Sequence, residues 1–175
     1  MLQPSQQTRF EKVVLPHLDA AYNLARWLTR DEHDAEDVVQ EATLRAFRFF
    51  GGFHGGDGRS WLLAVVRNTC YTWLKRNRPA TPTASFDEKA HGAADASFNP
   101  ETLFLQGAAR EMLHEALGQL PLDFREVVVL RELEGLSYKE IAAVTEAPLG
   151  TVMSRLARGR GMLRDRLAHR IDEES

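Results

Sequence analysis

The chain has a single cysteine, Cys70, among its 175 residues. No disulfide can form within it, and a reducing compartment is the natural setting. One buried-type thiol reads as a packing residue rather than a nucleophile or ligand. The histidines (17, 33, 54, 91, 114 and 169) never fall into an HxxxH or HExxH spacing, so no metal site is expected. No apolar run approaches the roughly 20 residues that span a bilayer. Arg9, Glu11, Lys12 and Asp19 stand where a signal peptide would need an apolar core. A cytoplasmic protein without membrane insertion is expected. Strand-like alternation is nearly missing, and no paired carboxylates or nucleophile–base constellation can be placed. The chain is therefore not expected to be an enzyme, and no catalytic residue or cofactor is assigned.

A net positive charge is also lacking: the formal charge is -3, which by itself does not suggest a nucleic-acid partner. Its distribution argues the other way. Between Arg59 and Arg78 stand five Lys/Arg and no Asp/Glu, and between Leu136 and Arg170 seven Lys/Arg against three Asp/Glu. Acids gather between Asp31 and Glu41 and in the tail. Two basic islands in an acidic chain imply two separate anionic contacts, or else two solvated helix faces.

What is present is helical periodicity. Phe10, Val13, Val14, Leu18, Ala21, Leu24, Ala25 and Leu28 form one stripe, interrupted at Pro16 by a kink or a late start. A second helix fits Asp34 to Phe50, closed by Gly51-Gly52. A third fits Ser60 to Arg76 and must end before Pro79. "RPATPTASFDEKAHGAADASFNPE" has no helical period and reads as a linker. Helical pattern resumes from about Glu101 to Leu120. Another helix starts at Pro121 and stops at Gly135. The expected fold is all-α: two small helical domains, residues 1–78 and 101–175, joined by a flexible linker over 79–100. "GGFHGGDGRS" lacks the Gly-Lys-Ser/Thr ending of a phosphate loop and reads as an ordinary interhelical loop.

Three helices carry the candidate sites. In "SYKEIAAVTEAPLGTVMSRLARGR", Ser137 and Glu140 make a capping box, with Leu136 and Ile141 as its hydrophobic staple. Pro148 restarts the chain. On the helix that follows, Val152, Leu156, Leu163 and Leu167 share one face at steps of four, seven and four. Gly150, Thr151, Ser154, Ala157 and Arg158 lie opposite. Arg155 lies on one flank, and Arg160 and Arg164 on the other, within reach of phosphates or guanine edges. That is helix-turn-helix logic; the bland alternative is an amphipathic hairpin with basic decoration. On the third helix Trp61, Leu62, Val65, Val66, Thr69 and Trp73 suit a core face. Arg67, Tyr71 and Lys75 stand opposite at steps of four, with Asn68 beside them. Such a row suits single-stranded DNA, where bases stack on rings and cations hold phosphates; equally, Tyr71 caps the core. On the second helix Val38, Ala42, Ala46 and Phe49 suit burial. Leu44 and Phe47 project the other way, beside Asp37, Gln40 and Arg48, as a protein-binding patch would. Its N-terminal acids also favour the helix dipole.

With these residues in place, the chain resembles an extracytoplasmic-function sigma factor of the bacterial sigma-70 family. "DAEDVVQEATLRAF" resembles the family's segment for the clamp coiled coil of the polymerase β′ subunit. "WLLAVVRNTCYTWLKRNR" resembles its segment for melting and reading the −10 element. "LSYKEIAAVTEAPLGTVMSRLARGR" resembles the helix-turn-helix for the −35 element. The resemblance implies a sigma region 2 bundle over 1–78 and a region 4 helix-turn-helix domain over 101–175. It implies that Asp34, Asp37, Gln40, Glu41, Leu44 and Phe47 face core RNA polymerase, with the β flap as a further contact. Arg67, Asn68, Tyr71 and Lys75 would meet the −10 strand, and Thr151, Ser154, Arg155 and Arg158 the −35 groove. An anti-sigma factor is the implied regulator. Met153 stands where the family often has a basic residue, and Gly159 where it often has alanine. Outside the resemblance, the rivals are a free-standing helix-turn-helix regulator and an enzyme acting on nucleic acid.

Overall fold

A computed structural model describes residues 4–78 and 107–174, and every described element is helical. The linker 79–100, and the expected helix start near Glu101, lie outside the described residues. By its contacts the chain divides into two compact units, Met1–Thr81 with Lys139–Glu146, and Pro82–Tyr138 with Ala147–Ser175.

In the first unit, α1 (Pro4–Val14) and α2 (Leu18–Thr29) are separated by a 3₁₀ turn, Leu15–His17, so the break expected at Pro16 is present. α2 ends at Arg30, whose φ of 61° reverses the chain. Asp31 then caps α3 (Glu32–Phe49), accepting from the Asp34 backbone N–H at 2.9 Å. That N–H, foremost, holds the Asp31 carboxyl below its ordinary value. α4 (Gly58–Asn77) is capped by Asp57, whose carboxylate accepts from the Arg59 N–H at 3.0 Å and the Ser60 hydroxyl at 2.6 Å. The loop before it turns on Gly55 and Gly56, with φ of 94° and 92°, a region L side chains avoid.

Helices α2, α3 and α4 pack on one another through Leu24, Leu28, Val38, Ala42, Leu62 and Val66, all buried. On α4 the core face is wider than its sequence stripe. Leu63, Cys70 and Leu74 are also buried, whereas Trp61, Val65 and Trp73 are only partly so. One end is closed by Phe10, Phe50, Phe53 and Trp61, with ring centroids 5.2–5.9 Å apart along the chain of contacts.

The expectation that Phe49 faces the core is corrected: it is 64% exposed, and Phe50 is buried in its stead. The chain tightens into a 3₁₀ turn at Phe50–Gly52, which breaks the phase of the α-helical stripe.

In the second unit, α5 (Gly107–Gly118) precedes α6 (Leu122–Val128), which starts after Pro121. α6 is buried all round from Phe124 to Leu130. Its Arg125 donates to the Gly118 and Leu120 carbonyls at 3.2 and 2.9 Å, closing the open end of α5. The helix widens into a π turn, Val129–Leu133. Along the chain follow α7 (Tyr138–Thr145), which from Lys139 on belongs to the first unit, and α8 (Leu149–Glu174) of the second, joined through Glu146, Ala147 and Pro148. Leu136 and Ile141, the expected staple pair, are both buried. Glu140 accepts from the Ser60 hydroxyl at 3.3 Å, inside the first unit to which Lys139–Glu146 belongs.

On α8 the expected core face holds: Val152, Leu156, Leu163 and Leu167 are all buried, and so is Gly159. A Cβ at Gly159 would stand 2.7 Å from Val128 Cγ2 and 3.4 Å from the Phe124 carbonyl, so glycine is what lets α8 lie this close to α6. At Gly161 the nearest atom to such a Cβ is 3.7 Å away, and nothing in the structure explains that glycine.

Candidate nucleic-acid and polymerase interfaces

α3 divides its six predicted interface residues. Asp37, Gln40 and Leu44 are exposed and share one face at steps of three and four; Leu44 is 64% exposed. Phe47 is half-buried, edge-on to Phe10 with centroids 5.2 Å apart. Asp34 and Glu41 are engaged within the unit. Arg78 reaches Asp34 at 2.5 Å and also donates to the Thr29 carbonyl at 2.7 Å. Glu41 takes Arg45 at 2.9 Å and Arg76 at 3.3 Å. The acidic face therefore has one part that braces the bundle and one part that looks outward.

On α4 the predicted row is brought together. The Arg67 guanidinium lies 3.9 Å from the Tyr71 ring centroid and donates to Asn68 Oδ1 at 3.3 Å. Tyr71 is half-buried with its hydroxyl oxygen covered, and Lys75, one turn on, is exposed. The ring thus packs at its tip and is capped on a face by a cation. The rest of this basic island is less available: Arg76 and Arg78 are the residues that brace α3.

On α8, Thr151, Ser154, Arg155 and Arg158 are half-buried. The Ser154 hydroxyl donates to the Gly150 carbonyl at 3.0 Å, which leaves its oxygen outward as an acceptor. Arg155 Nε is buried without a hydrogen-bond partner among the described residues. The Arg158 guanidinium lies 5.6 Å from the Phe124 ring centroid, so that side chain contributes to packing as well as charge. Arg160, expected on a phosphate-facing flank, is instead tied to Glu132 through Nε at 2.7 Å and Nη2 at 2.6 Å. Arg166 donates to Gln119 at 3.0 Å, and Arg170 pairs with Glu115. Sequence reasoning missed these braces, because the partners lie tens of residues away. It also missed the exposure of Leu149 (42%) and Met153 (50%) beside the predicted groove residues.

No His/Cys/Asp/Glu cluster that could hold a metal occurs among the described residues, and no described helix is long and apolar enough to cross a membrane.

The family model for sigma-70 region 2 matches residues 13–80, and that for sigma-70 region 4 matches residues 110–163. The ECF RNA polymerase sigma factor SigE of Mycolicibacterium smegmatis is 37% identical over 164 residues, covering 94% of this chain and 63% of the relative. The RNA polymerase sigma-H factor of Pseudomonas aeruginosa is 34% identical over 167 residues, covering 91% of this chain and 86% of the relative. Among solved structures, the sigma factor RpoE of Bartonella quintana, in complex with the anti-sigma factor NepR, shares the fold. Its TM-score is 0.69 at 24% identity, over 91% of this chain and 97% of that one. Region 2 followed by region 4, with 37% identity over 134 residues to the ECF RNA polymerase sigma-E factor of Escherichia coli (73% of this chain, 70% of the relative), makes this chain a member of the extracytoplasmic-function sigma factors of the sigma-70 family.

Proposed function

We propose that the protein is a promoter-specificity subunit that binds core RNA polymerase and directs initiation from promoters with its own −10 and −35 elements. It does no covalent chemistry and works in the cytoplasm. Residues 1–78 act as the region 2 domain and residues 101–175 as the region 4 domain, with 79–100 as the link that lets both engage at once. The outward face of α3, Asp37, Gln40 and Leu44 with the edge of Phe47, takes the β′ clamp coiled coil. Asp34 and Glu41 support that face from within the bundle. Thr151, Ser154, Arg155 and Arg158 take the −35 duplex, and the β flap holds the same domain. An anti-sigma factor holds the protein off the polymerase.

The observation that carries the reading is the cluster on α4. Arg67 on Tyr71, Asn68 hydrogen-bonded to Arg67, and Lys75 one turn on form a basic–aromatic platform of the kind that holds unstacked bases. A base that stacks on Tyr71 takes the place Arg67 occupies, and Arg67 moves to a phosphate. A free-standing duplex regulator has no use for this platform.

The test is run-off transcription with purified bacterial core polymerase on fragmented genomic DNA, with and without the protein. New start sites sharing two upstream motifs are expected. Unchanged start sites, together with tight binding to plain duplex DNA, would replace this reading with that of a free-standing helix-turn-helix regulator.

A further inference from the structure

One strip of the outward side of α8, Gly150, Ser154 and Ala157, offers no free hydrogen-bond donor. Gly150 has no side chain, and one added there would meet no atom within 4 Å. Ser154 spends its proton on the Gly150 carbonyl. Ala157 offers only a methyl. Beside this strip, at a four-residue step, stand Leu149 and Met153, 42% and 50% exposed. At about 100° per residue Met153 stands beside Ala157 and Gly150, on the flank between that strip and the buried Leu156, with half of its surface in water. Water is a poor environment for an unbranched thioether chain, and Met153 stands half exposed beside that strip. Arg155 and Arg158 on the far flank supply the charge that brings this face to a polyanion.

We infer that Met153 is a specificity-determining residue that reads the C5 methyl of a thymine in the −35 element, with Leu149 extending the same apolar contact. Among the features a base pair shows in the major groove, the thymine methyl is the one an apolar side chain can recognise. Methionine has no donor for guanine O6 or N7 and only a weak acceptor in its sulfur. This inference rests on the proposed −35 reading and goes beyond it by naming the atom read and the residue that reads it.

The test uses the full chain bound to core polymerase on a promoter found by the run-off mapping. Each −35 thymine, on either strand, is replaced in turn by deoxyuridine, which deletes only the methyl. At one position the replacement should weaken promoter binding by about fourfold, the transfer value of one methyl group. With Met153→Ala the same replacement should have no effect, whereas Met153→Leu, which keeps an apolar tip, should retain the penalty. Insensitivity at every thymine, an equal penalty in Met153→Ala, or a −35 element without thymine would overturn the inference. Scrambling the whole −35 block serves as the control. If that costs binding while methyl deletion does not, only the role of Met153 falls. If scrambling costs nothing, the proposed −35 reading falls with it.

Discussion

Two glycines two positions apart on α8 have opposite meanings, and only the packing tells them apart. Each costs the helix roughly 1 kcal/mol relative to alanine in intrinsic propensity. At Gly159 that cost is offset by the approach to α6, where a Cβ would stand 2.7 Å from Val128 Cγ2. At Gly161 no neighbour lies closer than 3.7 Å, so nothing offsets it. Gly159→Ala should therefore destabilise the second unit by about 1–2 kcal/mol, as forced overpacking does. Gly161→Ala should stabilise it by about 0.5–1 kcal/mol. Thermal unfolding of the two variants checks the opposite signs; the same sign in both would show that the α6–α8 contact is not what selects glycine at 159.

At the scale of the element, α3 separates bracing residues from outward ones, although a linear reading does not distinguish the bracing acids Asp34 and Glu41 from the outward Asp37. Asp34 and Glu41 hold Arg78, Arg45 and Arg76. Replacing either with alanine should lower stability by about 0.5–1 kcal/mol, the range of partly exposed ion pairs. Asp37→Ala and Leu44→Ala should leave the melting temperature unchanged, and Leu44→Ala should weaken core polymerase binding by about tenfold or more, as loss of an interface anchor does. Parallel melting and binding measurements on the four variants decide the division. A Leu44→Ala protein that melts normally and binds polymerase normally would remove this face from the interface.

The helices themselves are legible in the sequence because three- and four-residue periodicity, Pro16, Pro79, Pro121 and Gly135 all act locally. The α8 core face is legible for the same reason. Phe49 is not, because a 3₁₀ turn changes the angular step at the point where the stripe ends. The Arg160–Glu132 brace is not either: a π turn presents Glu132, and no local pattern specifies a pairing across 28 positions. For the candidate site, which helix carries each face follows from residue type and spacing. Which side chains are already engaged follows only from the tertiary partners.

For the whole molecule, charge is the controlling quantity. The net charge is -3, and many of the arginines are neutralised at home: Arg26, Arg45, Arg76, Arg78, Arg160 and Arg170 all sit in ion pairs. Those arginines are held from displacing counterions on DNA, so promoter affinity should depend on salt less steeply than the 22 Lys/Arg alone would give. Each phosphate contact contributes roughly 0.9 to the slope of log K against log salt concentration. Arg155→Ala should make that slope shallower by about this amount. Arg160→Ala should leave it unchanged and lower the melting temperature instead. A salt titration of promoter binding for both variants checks the assignment, and equal slopes for wild type and Arg155→Ala would take Arg155 off the phosphate backbone.

The two sides of α8 share almost no residues. Val152, Leu156, Gly159 and Leu163 hold the helix in its unit, while Gly150, Met153, Ser154 and Ala157 face away from that core; Arg158, lying against Phe124, belongs to both. In engineering terms the outer side is an exchangeable letter-face on a fixed type-block. If the proposed −35 reading holds, these outer positions could be rewritten for a different promoter while Val152, Leu156, Gly159 and Leu163 keep the fold, which would make the helix a cassette for transcription circuits that do not cross-talk.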